Sequence, residues 1–169
     1  IDMLEETYLK IISTKTAVLF SASTKVGAIL ANKKNNEKDA LEFYGKNLGL
    51  TFQIADDILD YNSELKLFGK KIGNDFYEGK ITLPVILLSQ QINNIEKQSL
   101  KDIFKKNKRS ENDFKFILDL ILKYKIIKQC YKKAEHFISL ASSSLSIFPD
   151  SEEKRVLENL TTFSLERSF

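Results

Sequence analysis

Apolar residues recur at three- and four-residue intervals along almost the whole chain, the spacing of amphipathic α-helices rather than the alternation of strands. Two prolines and six glycines punctuate the pattern, which therefore predicts an all-α protein with few breaks. A first helix is expected over about residues 4–30, a polar turn at Asn32–Asn36, and a second helix over about residues 37–61. Asn62 to Lys80 holds three glycines and many charges and is expected to be the only long loop. Pro84 then suits the first turn of a helix reaching about Gln91, where its missing N–H costs nothing. Ser110-Glu111-Asn112-Asp113 resembles a capping box ahead of a stripe formed by Phe114, Ile117, Leu118, Ile121 and Leu122. Ile127, Cys130, Ala134, Phe137 and Ala141 continue the pattern. Asp150 to Glu153 is expected to cap a last helix with the stripe Val156, Leu157, Leu160 and Phe163. These later helices read as packing elements without chemistry.

The second helix is different. With Asp56 at zero on a helical wheel turning about 100° per residue, Asp60 falls near 40°, Gln53 near 60° and Asp57 near 100°. Leu48, Phe52, Ala55 and Leu59 flank this polar wedge on one side, and Leu50, Ile54 and Ile58 on the other. Buried carboxylates at close range repel and are costly to desolvate. They also sit near the helix C-terminus, where the macrodipole disfavours anions. A divalent cation answers both objections. Asp56 and Asp60 are one turn apart, with β-carbons roughly 5–6 Å from each other. All-oxygen ligands with room for water suit Mg²⁺, which takes one or two carboxylates plus substrate phosphates.

Lysines accompany the acids. Gly69-Lys70 and Gly79-Lys80 each place a cation behind a glycine in the following loop, and Asp75 between them is placed to brace a lysine or a metal-bound water. Lys15-Thr16 lies among Ala17, Leu19 and Phe20, an otherwise core-like setting, and a buried lysine needs an anion. A magnesium-bound diphosphate would supply it.

Composition narrows the class. The chain has 169 residues, 43% hydrophobic and 29% charged, enough for one domain with a real core. Twenty-six basic residues against 23 acidic give a net charge of +3, too balanced to call for nucleic acid. The locally basic run from Lys101 to Arg109 reads as a solvated loop or helix end. No stretch approaches the ~18 apolar residues of a membrane span, and Ile1 to Glu6 does not resemble a signal peptide. The first residue is not Met, which suggests a natural start upstream. The single Cys130 fits a reducing cytoplasm. His136 has no second histidine to share a metal and reads as structural.

These pieces resemble the trans-polyprenyl diphosphate synthase family, particularly its octaprenyl-type members. The resemblance rests on Lys15-Thr16-Ala17, on the stretch from Phe52 through Gln53, Ala55, Asp56 and Asp57 to Asp60, and on Gly69-Lys70 through Asn74-Asp75 to Gly79-Lys80-Ile81-Thr82-Leu83-Pro84. It covers essentially the whole chain. It implies an all-α fold, part of the isoprenoid synthase helical bundle, acting on allylic and isopentenyl diphosphates with Mg²⁺. Asp56 would hold the metal directly, with Asp57 and Asp60 supporting it. Lys15, Lys70 and Lys80 would grip the allylic diphosphate, Thr16 and Gln53 would line that site, and Lys15, Asp56 and Lys70 would carry the catalysis. The product would be a long-chain polyprenyl diphosphate, a quinone side-chain precursor.

One departure stands out. The family has two aspartate-rich motifs facing each other across a cavity, and this chain carries only the second; Asp2, Glu5 and Glu6 lack the spacing of the first. The chain is therefore expected to be the C-terminal half of a synthase domain, inactive or nearly so alone, and to form a homodimer or associate with the missing N-terminal half. Two other readings remain open: a non-catalytic half-subunit that modulates a full-length synthase, and a terpene cyclase-like enzyme. The serine spacing of the cyclase metal motif is absent after Asn74-Asp75.

Overall fold

The computed structural model describes residues 3–62 and 72–166. Among them there are helices and no strands. The elements are α1 (Glu5–Ile12), a π-helical turn (Ser13–Ala17), α2 (Val18–Leu30), α3 (Asn35–Leu59), α4 (Asn74–Glu78), α5 (Leu83–Gln91), α6 (Asn94–Lys105), α7 (Glu111–Lys123), α8 (Ile126–Ser144), a 3₁₀ turn (Leu145–Ile147) and α9 (Glu152–Glu166). No described helix is long and apolar enough to cross a membrane. The chain divides into two compact units. One is built from Ile1–Tyr8 and Asp56–Tyr131, the other from Leu9–Ala55 and Lys132–Phe169.

In the second unit, α2 lies close against α3 because two glycines on α3 carry no side chain there. A Cβ on Gly45 would lie 2.3 Å from Thr24 Oγ1 and 2.5 Å from the Phe20 carbonyl oxygen. On Gly49 it would lie 2.6 Å from Ala17 Cα. The close approach lets Thr24 donate to the Leu41 carbonyl at 2.6 Å and Ser21 to the Glu42 carbonyl at 3.0 Å. Tyr44, Leu48, Ala141 and Leu145 form the buried cluster beneath, with Phe20, Leu41, Phe148 and Leu157 packed around it. The Tyr44 hydroxyl donates to the Leu157 carbonyl at 2.7 Å and ties α9 to α3.

The first unit is organised on α5. Every residue from Leu83 to Ser89 is buried, so this helix is covered on all sides. Capping boxes start α6 (Asn93 with Glu96) and α7 (Ser110 with Asp113). The Asp113 carboxyl is held down to about 2, first by the Lys106 ammonium, which donates to it at 2.6 Å, and then by the Ser110 amide.

Four expectations change. The first helix is one helical run interrupted by the π-turn at Ser13–Ala17. The long loop contains α4. α6 is a helix that the apolar spacing did not mark, and the basic run at Lys101–Arg109 starts in its last turns, the helix end expected for it. The stripe on α9 mostly faces solvent: Val156, Leu160 and Phe163 are 52%, 43% and 62% exposed. The face that packs carries Thr161 and Ser164 beside Leu157 and Leu165. The Thr161 and Ser164 hydroxyls donate back to the helix carbonyls of Glu158 (2.6 Å) and Leu160 (2.8 Å), which lowers the cost of burying them.

The glycine contacts make a prediction of opposite signs. Gly49→Ala should lower stability by about 1–3 kcal/mol, because the added methyl meets backbone that must move. Gly27→Ala, with nothing within 4 Å of the new atom, should stabilise α2 by up to about 1 kcal/mol through helix propensity. Urea midpoints of the two variants check both.

Candidate active site

The three aspartates at the end of α3 occupy three different environments. Asp56 is exposed and makes no hydrogen bond with a described residue. Asp57 is 3% exposed, and its Oδ2 accepts the Tyr8 hydroxyl at 2.6 Å. Burial, followed by the charge of Asp57, pushes the Tyr8 phenol far above its ordinary value, so Tyr8 acts only as a donor. Burial likewise raises the neighbouring Cys130 thiol, with Asp57 adding to the effect, which keeps it a neutral core residue. Asp60 is half-buried at the close of the helix. Its Oδ1 accepts the amides of Gly73 (3.0 Å) and Asn74 (2.8 Å), and its Oδ2 accepts that of Asp75 (2.9 Å). Burial and the charge of Asp75 raise its pKa, and the three amides pull it back down.

Those amides belong to the N-terminus of α4, whose first N–H groups have no partner inside the helix. Asp60 supplies from a distance what a local cap would supply. Gly73, at φ 90°, is in the left-handed region that favours glycine, and a Cβ there would lie 2.8 Å from the Phe114 ring. Arg109 holds the other end of α4, donating to the carbonyls of Tyr77 (3.2 Å) and Phe104 (2.8 Å). Phe76, fully buried, locks the turn between Phe104 and Phe114, with ring centroids 5.7 and 5.1 Å away. Behind α4 stands Lys80. It pairs with Asp75 at 2.8 Å and with Glu78 at 2.7 Å, and these partners, Asp75 first, raise its pKa. Tyr61 and Thr82 bury their hydroxyls nearby without a hydrogen bond of full geometry.

In the other unit, Lys15 and Thr16 lie within the π-turn. Such turns are rare and frequently mark functional sites. Thr16 donates to Gln53 Oε1 at 2.7 Å, so these two residues expected to line one site do meet. Lys15 is exposed, and Leu19 is 70% exposed. This corrects the expectation of a lysine in a core setting: the π-turn shifts the helical register, and the flank of α2 faces outward. Lys70 lies outside the described residues.

The donor set fits a metal that is completed from outside the protein. Among the described residues, no group of three or more His, Cys, Asp or Glu is arranged to hold an ion. The wedge read from the wheel is thus not a cage of three free carboxylates. One exposed carboxylate backed by engaged ones does suit Mg²⁺, which keeps waters and takes its remaining ligands from phosphates.

Comparison with known proteins shows the family of the chain. The family profile described as Polyprenyl synthetase matches residues 1–121. The chain belongs to the polyprenyl synthetase family. It is 30% identical to an octaprenyl diphosphate synthase of Haemophilus influenzae over 98% of its length, covering 50% of that protein. It is 32% identical to a short chain isoprenyl diphosphate synthase of Methanothermobacter thermautotrophicus, covering 99% of this chain and 51% of the relative. Among solved structures, a decaprenyl diphosphate synthase from Rhodobacter capsulatus superposes with a TM-score of 0.92 at 33% identity, over 99% of this chain and 52% of that one. A polyprenyl synthase from Caulobacter crescentus, complexed with calcium and isoprenyl diphosphate, also gives 0.92 at 34% identity, over 99% and 51%. The fold is the all-α isoprenoid synthase fold of these neighbours. The chain spans about half the length of the relatives it matches.

Sequence reading missed three features around the candidate residues. Tyr8 looks like any apolar position on a helix. Arg109 looks like one more charge in a basic run. The Asp60 cap links positions 13 to 15 residues apart, and no local motif marks it. The Tyr8–Asp57 bond makes a prediction. Tyr8→Phe removes this donor from a buried carboxylate, which should cost about 1–3 kcal/mol. A shift in urea midpoint, absent from the double variant Tyr8→Phe/Asp57→Leu, checks it.

Proposed function

We propose that this chain is the C-terminal half of a trans-polyprenyl diphosphate synthase, carrying the allylic diphosphate side of the site. The observation that carries this reading is the end of α3: an exposed Asp56 backed by a buried Asp57 and a loop-bound Asp60, next to Lys80 on its braced turn. Asp56 holds Mg²⁺, and Asp57 and Asp60 support the site around it. Lys15, Lys70 and Lys80 each offer a cation to the diphosphate, and Thr16 and Gln53 line its site. The metal, when bound, neutralises charge building on the departing diphosphate. The protein's part is electrostatic: fixed cations stand where that charge develops, so ionisation needs no reorganisation. Isopentenyl diphosphate then adds to the allylic cation and loses a proton, and repetition gives a long-chain polyprenyl diphosphate, a quinone side-chain precursor; the protein acts in the cytoplasm. Lys15, Asp56 and Lys70 carry the catalysis.

The half-length match favours a requirement for the other half, which brings the first aspartate motif and the isopentenyl diphosphate site. The exposed apolar residues on α2 and α9 favour association, as a homodimer or with that half, since contiguous exposed apolar surface marks interfaces.

Two outcomes are expected. Mg²⁺ with inorganic pyrophosphate should raise the melting temperature, by an amount equivalent to about 2.7 kcal/mol at a hundredfold excess over Kd, and Asp56→Ala should abolish the magnesium-dependent part. An unchanged melting temperature in the wild-type chain would sink the reading. In a prenyl-transfer assay the chain alone should show no elongation, and adding the N-terminal half of a relative should restore it. Normal elongation by the chain alone would overturn the half-site assignment.

A further inference from the structure

Asp60 is spaced to face a metal, yet both of its oxygens are already taken. Oδ1 receives the amides of Gly73 and Asn74, at 3.0 and 2.8 Å, and Oδ2 receives that of Asp75 at 2.9 Å. The Asp60 carbonyl also accepts from Gly73, at 2.9 Å. Three of the roughly four lone-pair sites of this carboxylate are occupied by amides, so little of it is left to offer a metal. The first amides of α4 have no alternative acceptor within the helix.

From Asp60 the path to Lys80 is short and continuous. The Asp75 amide is held by Asp60. The Asp75 carboxylate accepts the Lys80 ammonium at 2.8 Å, and the Asp75 carbonyl accepts the Lys80 amide at 2.9 Å. Gly79 turns at φ 80° against the Arg109 guanidinium, which lies 2.7 Å from where a Cβ would stand. Phe76 is wedged among aromatic rings. A negative charge thus sits at the N-terminus of the turn and a positive one at its C-terminus, which is the favourable sense for both.

We infer that Asp60 is a positioning residue for Lys80: its carboxylate anchors the Gly73–Asp75 turn, and through Asp75 that turn sets where the Lys80 ammonium stands to meet a diphosphate. The inference rests on the diphosphate-binding reading above and gives Asp60 its means of supporting the site. Lys80 is half exposed at 48%, so its ammonium can exchange one carboxylate for a phosphate oxygen without unburying.

The test is calorimetric titration of inorganic pyrophosphate into the chain at saturating Mg²⁺, for wild type, Asp60→Asn, Lys80→Ala and the double variant. Asparagine keeps the shape of Asp60 but presents an NH₂ group to one or more of the three amides. Asp60→Asn should weaken binding about tenfold, Lys80→Ala by a similar factor, and the double variant no further, because the two act through one contact. The Mg²⁺ concentration at half-saturation should stay unchanged in Asp60→Asn, and amide exchange at Gly73, Asn74 and Asp75 should quicken. Losses that multiply in the double variant, a raised Mg²⁺ midpoint, or wild-type affinity in Asp60→Asn would each overturn the inference. If Asp60→Asn does not fold, Asp60→Glu is read instead: it keeps the charge near a metal but displaces the cap, so it should weaken pyrophosphate binding as above, and unaltered binding would overturn the inference. A wild-type chain that fails to bind magnesium pyrophosphate at all overturns the diphosphate reading itself, an outcome distinct from any of these.

Discussion

A carboxylate at the end of a helix is electrostatically misplaced, since the last carbonyls already point negative charge at it. Asp57 stands there in α3 and Asp60 just past its end, and each is retained because hydrogen-bond donors come to it from elsewhere in the chain. Tyr8 reaches Asp57 from α1, 49 positions away in sequence. The Gly73–Asp75 amides reach Asp60 from beyond the loop. Satisfying these two charges fixes where α1 and α4 lie against the end of α3, and α4 in turn fixes Lys80. Asp56, beside Asp57 in sequence, is the carboxylate left to solvent. The division of labour among the three follows from which of them the fold supplies with donors.

Packing in the other unit likewise turns on what a few positions leave open. Gly45 and Gly49 open a path for α2 to lie almost backbone to backbone on α3. That approach lets Thr24 and Ser21 donate across the interface rather than only to their own helix. The π-turn carrying Lys15 and Thr16 sits at this contact, and Thr16 meets Gln53 there. Wide turns of this kind cost helical hydrogen bonding and persist where the surroundings enforce them. Close packing at Gly49 against Ala17 is what enforces this one.

Membership of the polyprenyl synthetase family is legible in the sequence because its signature is local. The Asp56, Asp57, Asp60 spacing, the Gly-Lys steps and Lys15-Thr16 are each short strings whose side chains are near one another by helix geometry or loop length. Most helix positions are legible for the same reason, since periodicity is a local property. α4 is not: five residues give too little periodicity to detect, and the turn exists because Asp60 and Arg109 hold its two ends. The orientation of α9 is not legible either. An apolar stripe predicts a buried face only when no alternative face can be buried, and Thr161 and Ser164 satisfy their own hydroxyls within the helix.

The sequence by itself therefore determined the all-α class, most helix boundaries and the family. Each of these depends on contacts within a few residues. Tertiary structure alone decided which aspartate is free, which is buried and which holds a loop, that Lys15 is exposed, and that Lys80 stands on a braced turn. Those outcomes depend on donors and packing partners supplied from distant positions, and the spacing of residues along a chain carries no record of them.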